Sequence, residues 1–252
     1  MNKIALITGA TAGIGEATAV KLADEGYKVI ITGRRKERLK KLAENIQQSC
    51  NVEVQVLNFD IRNKEEVDAA IDQLPEEWKN IDLLVNNAGL AAGLSHIYEG
   101  NINDWEQMID TNIKGLLYIS RKIMPLMVER KTGHVINVSS IAGKEVYENG
   151  NVYCASKHAV EAITKGMRLD ALKHGIRVSS VSPGMVETEF SMVRFKGDEE
   201  KASNVYKGLQ PLKAEDIAET IVWIAMRPAH VNINDVLIMP TAQANSTNTI
   251  KE

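Results

Sequence analysis

Ile4-Ala5-Leu6-Ile7-Thr8-Gly9-Ala10-Thr11-Ala12-Gly13-Ile14-Gly15 sets four apolar residues against a turn with glycines at three positions. A short unbroken apolar run marks a strand covered on both faces. Residues 16–25 then alternate in helical fashion, and Gly26 stops them. A strand, a glycine-rich turn and a helix start bring backbone amides and a positive helix end to one point, which suits a phosphate. The spacing is Gly-x-x-x-Gly-x-Gly rather than Gly-x-Gly-x-x-Gly, and such turns also form for steric reasons alone.

Working outward, the same rhythm repeats. Strand-like runs are expected at 28–32, 52–57, 81–85, 133–139, 176–181 and 235–239, with helical patterns over 34–41, 64–74, 104–130, 151–173 and 214–226. Helix-length crossovers between strands specify a parallel sheet with helices on both faces, and ligands bind at the carboxyl ends of its strands. The expected fold is therefore α/β: a doubly wound parallel sheet of about seven strands, in one domain over 1–252. The segment 187–212 breaks the rhythm and reads as a lid over a substrate. The polar tail, 245–252, is open to disorder or to docking on a neighbouring subunit.

The second strand leads into Gly33-Arg34-Arg35. At this place in a dinucleotide-binding unit an acid would hold the 2′-hydroxyl of NAD, and an arginine suits the 2′-phosphate of NADP. Two arginines and no acid point to NADP, although the same residues could simply begin a solvated basic helix.

Composition narrows the function classes. The chain has 252 residues, 44% apolar and 25% charged, with a formal net charge of -3. That gives no electrostatic case for nucleic acid or an anionic membrane. No signal-peptide pattern precedes the first strand, no apolar stretch nears the eighteen residues of a span, and the expected location is cytoplasmic. Cys50 and Cys154 make neither a disulfide framework nor a metal site. The five histidines lack metal-ligand spacing, so no metal is expected.

Ser140 ends the fifth strand, and thirteen residues later comes Tyr153-Cys154-Ala155-Ser156-Lys157. Residues four apart share a helix face, so Tyr153 and Lys157 are stacked. A cation about 4 Å from a phenol is worth up to ~4 kcal/mol at an effective dielectric near 20. That is enough to bring a tyrosine from a pKa of about 10 toward about 7, where proton transfer is efficient. The plainer reading is that Tyr153 packs, Lys157 is solvated and Ser140 caps a turn. Asn112, amid apolar neighbours, is either solvated or a buried amide with a task.

Thr8-Gly9-x-x-x-Gly13-x-Gly15, Asn86-Asn87-Ala88-Gly89, Asn112, Ser140, Tyr153-x-x-x-Lys157 and Pro183-Gly184 stand in one order over nearly the whole chain. In this the chain resembles the short-chain dehydrogenase/reductase family. The resemblance implies a single Rossmann-type domain, a nicotinamide cofactor, hydride transfer between an alcohol and a carbonyl, and a homotetramer or homodimer. Gly150-Asn151-Val152-Tyr153, residues 189–198 and residues 228–234 are similar to the NADP-dependent 3-hydroxy acid dehydrogenases. Their substrates are serine, allo-threonine and related short acids, with small acidic aldehydes such as sulfoacetaldehyde or succinic semialdehyde among the alternatives.

The resemblance also implies roles. Tyr153 exchanges a proton with the substrate oxygen, Lys157 lowers its pKa, Ser140 orients the carbonyl, and Asn112 holds a water leading from Lys157 to solvent. Gly9, Thr11, Ala12, Gly13, Ile14, Gly15, Arg34, Arg35, Asp60, Ile61, Asn87, Ala88 and Gly89 hold the cofactor together with Tyr153 and Lys157, while Pro183, Gly184, Val186 and Thr188 close over its nicotinamide. Many relatives have a basic residue where this chain has Ala12, which leaves phosphate selectivity to Arg34 and Arg35. Arg194 either binds a substrate carboxylate or sulfonate, or pairs with Glu187 or Asp198. Two further readings are a 3-oxoacyl carrier-protein reductase or broad carbonyl reductase, and an NADP-binding sensor without catalysis. The last is disfavoured because both Tyr153 and Lys157 are present.

Overall fold

The computed structural model describes residues 3–251; Met1, Asn2 and Glu252, the ends of the expected domain and tail, lie outside the described residues. The elements run β1 (Ile4–Ile7), α1 (Gly13–Asp24), β2 (Lys28–Gly33), α2 (Lys36–Cys50), β3 (Val54–Asn58), α3 (Lys64–Asp72) and β4 (Ile81–Asn86). They continue with α4 (Ile102–Ile109), α5 (Leu116–Arg130), β5 (His134–Val138), α6 (Asn151–Ala171) and β6 (Arg177–Pro183). The last are α7 (Phe190–Arg194), α8 (Glu199–Asn204), α9 (Ala214–Ala225) and β7 (Asp235–Ile238).

The seven strands form one sheet in the order β3-β2-β1-β4-β5-β6-β7, and every neighbouring pair is parallel. The order reverses between β1 and β4, which is where a doubly wound sheet opens a crevice. Side chains alternate across the sheet with period two. Ala5, Ile7, Val29 and Ile31 face a core completed by Leu22 of α1, Leu39 and Ile46 of α2, and Ile217 and Ile221 of α9. Ile4, Leu6, Ile30 and Leu84 face the other way, onto Val67 and Ile71 of α3, Ile119 and Ile123 of α5, and Ala171 at the end of α6. Apolar runs without alternation thus become strands buried on both faces, as expected.

Helix ends follow local chemistry. The Asn63 side chain accepts from the amides of Glu65 and Glu66 to cap α3, and Asn101 does the same for α4 through Asn103 and Asp104. Arg34 and Arg35 do not begin a helix; they form the loop before α2, with Arg35 outside the helical region at φ -91° and ψ 84°.

Two expectations change. Residues 104–130 are not one helix: a π-turn over Asp110–Gly115 separates α4 from α5. A single wide turn of this kind inserts a residue and re-aims a side chain, here Asn112. Of the two options for the tail, disorder does not fit its described residues. The tail folds back on itself, with an antiparallel bridge between Gln243 and Thr249, and Ser246 donates its amide to Glu145.

The β1–α1 turn tolerates almost no added volume. A Cβ on Gly15 would collide with the Asn87 side-chain amide and the Gly9 carbonyl. Overpacking of this kind costs about 1–3 kcal/mol. Gly15→Ala should lower the melting temperature by about 2–12 °C in a thermal scan; an unchanged midpoint would contradict the packing described.

Candidate active site

A cavity of about 610 Å³ runs along the carboxyl ends of the strands. That lies within the range of about 300–1,000 Å³ usual for ligand pockets. One end is walled by Gly9, Thr11, Ala12, Gly13, Ile14, Arg34, Arg35, Asp60 and Ile61; the other by Ser140, Tyr153, Lys157 and Arg194. Asn87, Ala88 and Gly89 lie in its wall, as do Pro183, Gly184, Val186 and Thr188. Among the expected site residues, only Gly15 and Asn112 are not in the wall. Gly15 is packed behind it, against Asn87 and Gly9.

At the first end, Gly9 and Gly13 adopt φ values of +68° and +56°, which side chains rarely adopt. Asn87 ties the turn to β4, donating to the carbonyls of Thr8 (2.9 Å) and Gly9 (3.3 Å). Arg35 donates from Nε and Nη2 to Thr11 Oγ1 at 3.0 and 2.8 Å, and from Nη1 to Glu189 at 2.7 Å. The Asp60 carboxylate takes a double hydrogen bond from Arg62 and lies 3.8 Å from Arg34. Burial raises its pKa, but the two guanidiniums prevail and hold it below the usual carboxylate range.

At the second end, β5 and α6 converge. Lys157 is buried and donates to the Val138 carbonyl at 3.0 Å. Burial lowers its pKa to about 8, against the opposing charge of Glu161 one turn on. Tyr153 is also buried, and its ring packs at 5.7 Å against Phe190. Burial, with Tyr147 adding to it, pushes the Tyr153 phenol well up, against the Ser140 hydroxyl and the Arg194 guanidinium. The expected depression of this phenol by Lys157 is therefore not what the geometry gives. The ammonium is aimed at Val138, and desolvation of the phenolate outweighs the charges around it. Ser140 both faces the cavity and caps the turn after β5, accepting from the Ala142 amide at 3.1 Å.

Asn112 is a buried amide with a task. Its Oδ1 accepts from the Leu90 amide, and its Nδ2 donates to the Leu90 carbonyl and to Ser156 Oγ. Ser156 in turn donates to the Tyr153 carbonyl. The Asn112 amide is occupied in fastening α6 to the loop after β4. It stands beside Gly89, on whose open side Lys157 Nζ also lies.

Arg194, in α7, lies 5.6 Å from the ring centres of both Tyr147 and Tyr153. Its Nε donates to the Gly93 carbonyl at 3.4 Å, and its Nη2 is buried with no hydrogen-bond partner. It pairs with neither Glu187 nor Asp198; Asp198 holds Lys201 instead. A guanidinium with an unpaired donor can hydrogen-bond an oxyanion.

Tyr147, Glu189, Phe190, Gln243 and Ser246 also wall the cavity and were not expected there. Glu189 and Phe190 lie in the segment read as a lid, so their neighbourhood was signalled but not their contacts. Tyr147, Gln243 and Ser246 have no spacing that marks them. Segment 187–212 is pinned at its base, where Glu187 donates to Leu212 and Leu212 to Met185, and it carries the short helices α7 and α8.

The family model for short chain dehydrogenase matches residues 3–199. The NADP-dependent 3-hydroxy acid dehydrogenase YdfG of Salmonella typhi is 47% identical over 242 residues, covering 96% of each chain. Sulfoacetaldehyde reductase 2 of Chromohalobacter salexigens is 45% identical over 245 residues, covering 97% of this chain and 96% of that one. A closed form of serine dehydrogenase complexed with NADP+ superposes with a TM-score of 0.92 at 44% identity, over 99% of both chains.

In an NMR titration of labelled lysines, Lys157 should lose its proton near pH 8, since burial penalises the charged form. Glu161→Gln removes the charge that opposes this penalty and should move the midpoint lower; an upward move would contradict the assignment.

Proposed function

The chain belongs to the short-chain dehydrogenase family, and from that premise we propose that it is an NADP-dependent dehydrogenase of short 3-hydroxy acids and the matching 3-oxo acids or acidic semialdehydes. The observation that carries the acid specificity is the buried, unpartnered Nη2 of Arg194 beside Tyr153. Serine- and 3-hydroxy-acid-acting relatives at 44–47% identity support the same reading.

The cavity fits the cofactor. The glycine cradle at the start of α1 would hold the diphosphate, Arg34 and Arg35 the 2′-phosphate, and Asp60 and Ile61 the adenine. Asn87, Ala88 and Gly89 would line the adenosine ribose, and Pro183, Gly184, Val186 and Thr188 the nicotinamide. Bound NADP(H) supplies or accepts the hydride. Tyr153, kept protonated by burial at neutral pH, donates its proton to the substrate oxygen during reduction. Ser140 Oγ orients that oxygen and stabilises the charge that develops on it. Lys157 is held by Val138 where its charge favours the phenolate when the proton leaves, and Asn112 positions the helix that carries both. Arg194 anchors the carboxylate, and Tyr147 and Phe190 exclude water. The segment 187–212 acts as the lid of a single domain.

A sulfonate has the same charge and oxygen geometry, so the sulfoacetaldehyde reductase relative favours a second reading in which Arg194 binds a sulfonate. We further propose a homotetramer or homodimer, supported by exposed Leu117, Leu169 and Leu172 on α5, α6 and the turn after α6. Two unpaired cysteines fit a cytoplasmic location, and no helix among the described residues is long and apolar enough to cross a membrane.

Tyr153→Phe should reduce kcat by at least about 10²–10⁴-fold and leave NADPH binding intact; substantial residual turnover would overturn the role given to Tyr153. Initial rates with L-serine, L-allo-threonine, 3-hydroxypropanoate, sulfoacetaldehyde and an acetoacetyl thioester test the substrate class. Loss of a charged hydrogen bond in Arg194→Ala should raise KM for the acids about 10–100-fold. Turnover of the thioester alone would sink the acid reading.

A further inference from the structure

Ala12 supplies no cation beside the glycine turn, yet the end of β2 carries more positive charge than Arg34 and Arg35 alone. Arg38, in the first turn of α2, points to the same place and donates from Nη1 to both oxygens of Glu189, at 2.6 and 2.9 Å. The same carboxylate accepts from Arg35 Nη1 at 2.7 Å. The remaining donors that Arg35 uses, Nε and Nη2, are taken by Thr11. One carboxylate, carried on residue 189, thus takes Nη1 of both guanidiniums. A carboxylate and a phosphate ask for the same arginine edges.

We propose that Glu189 is the specificity-determining residue for the 2′-phosphate: it competes for Arg35 and Arg38, so a phosphorylated cofactor must displace its carboxylate and an unphosphorylated one need not. This rests on the NADP reading above. Glu189 thereby limits the affinity for NADP(H) and narrows its advantage over NAD(H). The residue also stands directly before Phe190, whose ring lies on Tyr153, so the contact that is exchanged is joined by the chain to the reacting end.

The test is the Kd of NADPH and of NADH for the full chain, measured by nicotinamide fluorescence, in the wild type, Glu189→Gln and Glu189→Ala. The side chains are about half exposed (44%, 49% and 45% for Arg35, Arg38 and Glu189), and exposed pairs are weak. Both variants should therefore bind NADPH about three- to tenfold more tightly, with NADH unchanged. Unchanged or weaker NADPH binding would show that Glu189 holds the arginines in place rather than competing for them, and would overturn the proposal. Equal tightening of NADH would overturn it as well. If the wild type binds both cofactors equally, the NADP reading itself fails, and the proposal with it; if it prefers NADPH and the variants do not tighten, only the proposal fails.

Discussion

A buried ammonium needs an anchor, and Lys157 finds it in the Val138 carbonyl at the end of β5. Desolvating this charge is costly, which is why its proton is loosened. The geometry around the site follows from that contact. It draws the first turns of α6 onto the strand end, places Tyr153 one turn earlier on the same face, and leaves Ser140 two residues beyond the acceptor carbonyl. Glu161, itself held by Lys144 and Ser182, supplies the nearby opposite charge.

Buried amides fasten the other strand ends. Asn87 holds the glycine turn after β1, Asn86 bridges β4 to Asn137 of β5 and to Ser120 of α5, and Asn112 ties the loop after β4 to α6. Most buried polar groups find partners. The loops of a parallel sheet end with unpaired backbone groups at this edge, and short amide side chains supply those partners without bulk. The π-turn exists on this account: widening one turn brings the Asn112 amide into line with both backbone groups of Leu90.

The differences between expectation and structure have physical reasons. Helical periodicity over 104–130 continues through Asn112, because the wide turn absorbs the extra residue and buried Met108, Asn112, Leu116, Ile119, Ile123 and Met127 stay at three- and four-residue steps. Spacing puts a cation one turn from the Tyr153 phenol, but the ammonium is turned to Val138 and burial raises the phenol. Gly15 belongs to the phosphate motif by spacing, yet it serves packing behind the turn. Arg194 pairs with neither Glu187 nor Asp198, because α7 turns it onto two aromatic rings.

The sequence by itself determined the parallel sheet, its glycine turn and the order Ser140, Tyr153, Lys157, because these depend on periodicity and on fixed offsets along one chain. It also placed Arg34 and Arg35 at a strand end, since a strand, a loop and a helix follow one another without reference to distant residues. Only the tertiary structure decided that Glu189 meets Arg35 and Arg38, that Arg194 stacks on Tyr147 and Tyr153, and that Gln243 and Ser246 reach the cavity. Those contacts join segments that are 100 residues or more apart or cross a loop with no period. Their geometry is set by how the sheet twists and how the segment 187–212 packs back over it, and neither is written in local spacing.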